Sequence, residues 1–272
     1  MPLPITYLFV PGDRPERFDK ARDSGADAIV LDLEDAVMPA EKPRARANIR
    51  AFLATQREAG AAIVVRINDA NSEAFDADLA FLRGGGIDHV MLPKAEHADQ
   101  VATVLDALNP RGRVLPIIET ALGIANVEAV ARASGVQRLV FGTVDYAVDL
   151  DLSDDERGLV YPSARMAIAS RCAGIGSPVA GVTTTIDDEA QLLADLAFAR
   201  AFGFGAKLCI HPRQVAVIRD AMRPSPAELD WARRVVAAAD APDGAKGALR
   251  IDGRMVDRPV VLKARALIER AR

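Results

Sequence analysis

The sequence predicts an α/β protein, a (β/α)8 TIM barrel with a C-terminal helical lid extension. Three observations carry that prediction. Eight short apolar runs recur along the chain, separated by longer amphipathic segments. Most of these runs are continuously apolar rather than alternating, as parallel strands buried on both faces should be. Eight strand–helix units within about 220 residues suit a closed barrel better than an open doubly wound sheet.

The predicted strands, in order, are ITYLFVP (5–11), DAIVLDLED (27–35), AIVVRIN (62–68) and HVMLPKA (89–95), then RVLPIIET (113–120), RLVFGTVD (138–145), SPVAGV (177–182) and AKLCIHP (206–212). Between the first two strands, PERFDKARDSG places Phe18 and Ala21 on one helical face and ends at Gly25, a C-cap residue. Segments 41–60, 99–109 and 187–203 have the same amphipathic spacing. Residues 1–222 therefore form the predicted catalytic barrel. In the tail, 223–272, Pro224, Ser225 and Pro226 precede a helix over 227–240. A turn-rich exposed stretch over 242–259 and a closing amphipathic helix over 259–272 complete it. The tail is too short for an independent domain and is expected to pack on its own barrel or on a neighbouring subunit.

Composition narrows the function classes. The 34 Lys and Arg against 38 Asp and Glu give a net charge of −4, which argues against a non-specific nucleic-acid binder. Cys172 and Cys209 are far apart and match neither a disulfide framework nor a metal-ligand pattern, so a reducing, cytoplasmic compartment is expected. The start, MPLPITYLFVPGDR, lacks the basic region of a signal peptide, and no uncharged apolar stretch is long enough for a membrane span. GGG at 84–86 follows a helix, and neither a Walker loop nor a GxGxxG fingerprint occurs.

Barrel sites form at the C-terminal ends of the strands, and here nearly every strand ends in ionisable groups. Glu119 and Asp145 would stand on adjacent strands, five and six. They are either ligands of a hard cation such as Mg²⁺ or acids at helix N-termini. Arg66 interrupts an apolar run, so it either pairs with Glu34 or Asp35 or clamps a carboxylate or developing oxyanion. Glu34 and Asp35 are expected to orient Arg66 and metal-bound waters. Asp32 should face the interior or Lys94. Lys94 is either an ion-pair partner or a Schiff-base lysine. His211 reads as a hydrogen-bonded rim residue and Cys209 as core. Arg14 and Lys20 sit near a helix opening that can hold a phosphate, or else lie on a solvated basic helix.

These segments carry a resemblance. LFVPGDRPERFDKA, IVLDLEDAV followed by EKPRAR, VRIN, VMLPKAE, PIIETALGIANV, FGTVDYAV, AKLCIHPRQV and the tail motif DGRMVDRP occur in one order across almost the whole chain. The chain resembles the citrate lyase beta subunit/malyl-CoA lyase/citramalyl-CoA lyase family, CoA-ester lyases of the HpcH/HpaI aldolase superfamily. The resemblance implies Mg²⁺, with Mn²⁺ possible, on Glu119 and Asp145. It also implies coenzyme A, as part of the substrate, near Phe9, Arg14 and Lys20, and an oxo-acid contact at Arg66. Homotrimers or homohexamers are implied, with Asp257 of the tail entering the adjacent subunit's site. The implied reaction cleaves citramalyl-, malyl- or citryl-CoA to acetyl-CoA and a 2-oxo acid, with Arg66, Asp257, Glu34 and Asp35 as its catalytic residues. The alternatives are a beta subunit within a multi-subunit citrate lyase, an aldolase on free 2-oxo acids, and a malyl-CoA thioesterase. One departure is Ala180, where many relatives carry Asp.

Overall fold

The computed structural model describes residues 3–55, 60–153, 155–241 and 249–270. Its chain forms two compact units, Met1–Ile218 and Arg219–Arg272. In the first, β1 (Thr6–Pro11) leads through a short 3-10 turn to α1 (Phe18–Arg22). Next come β2 (Ala28–Asp32), α2 (Lys42–Thr55), β3 (Ala62–Arg66), α3 (Phe75–Arg83), β4 (His89–Leu92) and α4 (Ala98–Asp106). β5 (Arg113–Ile118) is followed by the short helices α5 (Ala121–Ala125) and α6 (Val127–Arg132). β6 (Arg138–Phe141) is followed by α7 (Thr143–Asp149) and α8 (Val160–Ala173). The unit ends with β7 (Gly176–Ala180), α9 (Glu189–Ala201), β8 (Ala206–Cys209) and the start of α10 (Pro212–Met222).

The eight strands close in sequence order into one parallel barrel, with β1 pairing both β2 and β8. Successive side chains alternate across the wall. Tyr7, Val30, Met91, Leu115, Val140 and Leu208 fill the interior. Leu8, Ile29 and Leu31, one residue out of step, are equally buried on the other face of the wall. Burial of both faces is why the strands read as unbroken apolar runs. Among the described residues, no helix is long and apolar enough to cross a membrane.

Two differences from the sequence reading have local causes. In the sequence reading α3 is only the helix that GGG at 84–86 follows, without bounds, although Phe75, Leu79 and Leu82 bury one face at helical spacing. In the second unit, α11 (Pro226–Asp240) starts at a capping box of Ser225 and Glu228. The stretch expected to be turns then forms an antiparallel hairpin, β9 (Leu249–Ile251) and β10 (Arg254–Val256). Asp252 and Gly253 at its tip both have positive φ, 50° and 77°. That pair is the Asp-Gly signal of a type I′ turn, and it was legible in the sequence. Residues 242–248 of that stretch lie outside the described residues. α12 (Arg258–Arg270) completes a small core in which Ala232, Val235, Val256 and Ala264 are buried.

Arg138, at the entry of β6, is 1% exposed. Its Nε donates to Ser177 O and its Nη1 to Pro4 O, both at 2.7 Å, tying β7 and the chain start to the barrel floor. Replacing it by methionine removes this donor from both part-buried carbonyls. The Arg138→Met protein is expected to lose about 2–5 kcal/mol of stability, read as a lower urea midpoint at unchanged slope.

Candidate active site

Arg66 ends β3 directly opposite Asp32 at the end of β2. Its Nε and Nη2 each donate to one Asp32 oxygen at 2.7 Å, a bidentate fork. Its Nη1 lies 2.6 Å from Glu34 and 3.8 Å from Asp35. The guanidinium carbon stands 4.8 Å from the Phe9 ring centroid, so Phe9 on β1 is its platform. Burial disfavours the cation, but Asp32 outweighs it and the Arg66 pKa is raised. The ion-pair reading of Arg66 is therefore present in the structure, with a correction. Its chief partner is Asp32, which shares the interior face of β2 with Ala28 and Val30, as one of the two sequence readings has it, but pairs with Arg66 rather than Lys94.

Lys94 pairs instead with Glu34, Nζ to Oε1 at 3.3 Å. Burial disfavours its ammonium, yet Glu34 and Glu119 prevail and its pKa is raised, which suits an ion-pair partner rather than a Schiff-base amine. Its backbone is left-handed, φ 46°, and its N–H donates to Glu119 Oε1 at 2.8 Å. Burial raises the Glu34 pKa to about 6, against the pull of Arg66.

Glu119 follows β5 and is 4% exposed. It caps no helix: Thr120 takes that role in α5, accepting from Gly123 N. Burial and then Asp145, in the first turn of α7, raise the Glu119 pKa to about 8. The other carboxylate oxygen of Glu119 lies against Gly142, where a Cβ would overlap the carboxylate and approach Glu119 Cβ to 2.6 Å. Among the described residues, no group of three or more His, Cys, Asp or Glu could hold a metal on its own. Two oxygen-donor acids and a glycine-made cradle fit a hard cation that takes its remaining ligands from substrate and water. Because the folded Glu119 pKa lies above its usual 4.5, its protonated form stabilises the fold below about 4.5. That contribution fades as pH rises through about 8. In EDTA, the Tm difference between the protein and its Glu119→Gln variant should grow across this window, the variant keeping its stability at high pH.

Sequence reasoning missed Lys42. Its Nζ donates to Leu33 O at 2.8 Å, Glu34 O at 3.1 Å and Asn68 Oδ1 at 2.5 Å, fixing the turn that carries Glu34. The only signal was a lone lysine opening α2. Arg14 and Lys20 are exposed around α1, and Asp35 is 66% exposed at the mouth. His211 accepts from Arg213 N, and Cys209 is buried. Asp257 belongs to the second unit, where its Oδ1 accepts from Val260 N at the opening of α12.

A closed parallel barrel with buried acids and a clamped arginine at its strand ends defines an enzyme-type (β/α)8 barrel. The sequence pattern of HpcH/HpaI aldolase/citrate lyase matches residues 6–212, and the chain belongs to that family. The "Citrate lyase subunit beta-like protein" of Mycobacterium tuberculosis strain H37Rv is 38% identical over 97% of this chain and 94% of that protein. The "(3S)-malyl-CoA thioesterase" of Cereibacter sphaeroides strain ATCC 17025 is 32% identical over 98% of this chain and 94% of its own length. The crystal structure of CitE from Mycobacterium tuberculosis with magnesium, acetoacetate and coenzyme A superposes with a TM-score of 0.84 at 35% identity, covering 98% of this chain and 97% of that one.

Proposed function

We propose that this protein is a Mg²⁺-dependent CoA-ester lyase that cleaves a 3-hydroxy-3-carboxyacyl-CoA to acetyl-CoA and a 2-oxo acid. One observation carries the reading: the buried Glu119, facing Asp145, is linked through Lys94 and Glu34 to an arginine fixed by Asp32 and Phe9. The magnesium, acetoacetate and coenzyme A bound by CitE support it.

In the cleavage, the C2–C3 bond breaks and its electron pair becomes the enolate of acetyl-CoA. The hydroxyl proton passes to solvent water as that oxygen becomes the carbonyl of the 2-oxo acid. Glu119 and Asp145 would hold the magnesium, which supplies Lewis-acid polarisation of an oxo-acid oxygen. Arg66 presents its Nη1 edge to the substrate carboxylate, the other edge being held by Asp32. Glu34 and Asp35 orient that edge. Asp257, from a neighbouring subunit of a trimer or hexamer, is assigned as the acid that protonates the enolate carbon. Arg14 and Lys20 meet the CoA phosphates.

Acetyl-CoA release is to be measured from citramalyl-, malyl- and citryl-CoA, with Mg²⁺ and then with EDTA. Release from at least one ester, lost in EDTA, is expected. Turnover of a free hydroxy-oxo acid alongside none of the CoA esters would end the proposal. A thioesterase reading has its own support in the name of the Cereibacter relative. Free CoA in place of acetyl-CoA as the thiol product would favour it.

A further inference from the structure

A second cavity, of about 120 Å³, lies on the outer side of the barrel wall. Val140, Val179, Ala206 and Leu208 point into the barrel, so their neighbours Phe141, Ala180 and Lys207 face the helix layer. There they meet Ser163 of α8 and Phe198 of α9 around the cavity. Lys207 is 2% exposed. Its Nζ donates to Gly181 O at 2.8 Å, leaving two of its three N–H donors over. Among the described residues, no ion pair joins it to a carboxylate, although Glu156 and Asp195 also line the cavity. Asp195, also in the wall, is engaged elsewhere, accepting from Thr183 Oγ1 at 2.5 Å and Gln191 Nε2 at 2.6 Å. Burial lowers the Lys207 pKa, and Asp195 opposes this only in part.

A buried ammonium with one neutral acceptor is costly, and an anion would relieve it. The volume is close to that of apolar cavities of ~150 Å³ that take up benzene. Phe141, Phe198 and Phe204 give the wall an aromatic part, beside aliphatic Leu159, Val182 and Ala199 and the acid Glu156. We propose that this cavity binds a small monocarboxylate, its carboxylate on Lys207 and its short apolar tail among these rings. The site is separate from the barrel mouth, and the proposal stands whatever reaction occurs there.

The test is calorimetric titration of the full chain with butyrate, acetate and n-butylamine, with Mg²⁺ and pyruvate saturating the mouth. Butyrate is expected to bind with a Kd on the order of 1 mM, more tightly than acetate, while n-butylamine does not bind. Ala180 is the register partner of Lys207, so Ala180→Asp places a carboxylate beside the ammonium without removing it. Ala180→Asp and Lys207→Met should each weaken butyrate at least tenfold. Unchanged butyrate affinity in Ala180→Asp, equal binding of n-butylamine, or no butyrate binding to the parent protein overturns the proposal.

Discussion

Replacing Glu119 by glutamine is expected to lower kcat/KM for the cleaved CoA ester by at least about a thousandfold, on the order of 4 kcal/mol of transition-state stabilisation. The substitution keeps the shape of the side chain and its bond from the Lys94 N–H. It removes one of the two carboxylates that face each other across β5 and α7. An amide oxygen is a weak ligand for a hard dication, so the loss should be accompanied by a weaker calorimetric Mg²⁺ affinity. Gly142→Ala is the companion variant. It leaves both acids in the chain, but its Cβ occupies the space of the Glu119 carboxylate, and a comparable loss of Mg²⁺ affinity is expected. A Glu119→Gln protein within tenfold of the parent in both kcat/KM and Mg²⁺ affinity would remove the metal from the proposal.

Glu119 was legible because it closes an unbroken apolar run, where an acid has no reason to stand unless something polar is there to receive it; Asp145, expected at the end of the next strand, stands instead in the first turn of α7. The barrel was legible for a related reason: eight apolar runs demand burial on both faces. Asp32 was not legible. On β2 it looks like one more acid in LDLED, and only the strand register opposite Arg66 gives it a partner. Gly142 escaped notice because its φ of −87° is open to any residue. Its lack of a side chain matters only once Glu119 has folded against it. Lys42 is ten residues beyond Asp32 in the chain, and its bonds run to carbonyls that sequence does not reveal. What failed to show in the sequence was, in each case, a contact between strands or across a turn. What succeeded was local pattern.

Arg66→Lys is expected to reduce kcat/KM by about a hundredfold or more while costing little stability, because lysine keeps the charge beside Asp32 but cannot fork two parallel bonds or present a second edge to a carboxylate. Stability alone would not separate a clamp from a strut, since Arg66 also neutralises three acids at the barrel mouth. Asp32→Ala should therefore be the more damaging change to the fold, at about 3–5 kcal/mol, because it takes the bidentate partner from a buried cation and leaves Glu34 as its close acid. The decisive protein is the double variant Asp32→Asn/Arg66→Met. It removes the fork and its carboxylate together, so stability should recover relative to Asp32→Ala. Activity should not recover, because no cation remains to meet the substrate carboxylate. If urea midpoints and kcat/KM rise together in the double variant, Arg66 is a structural tie, and the oxo-acid contact belongs to another residue of the mouth.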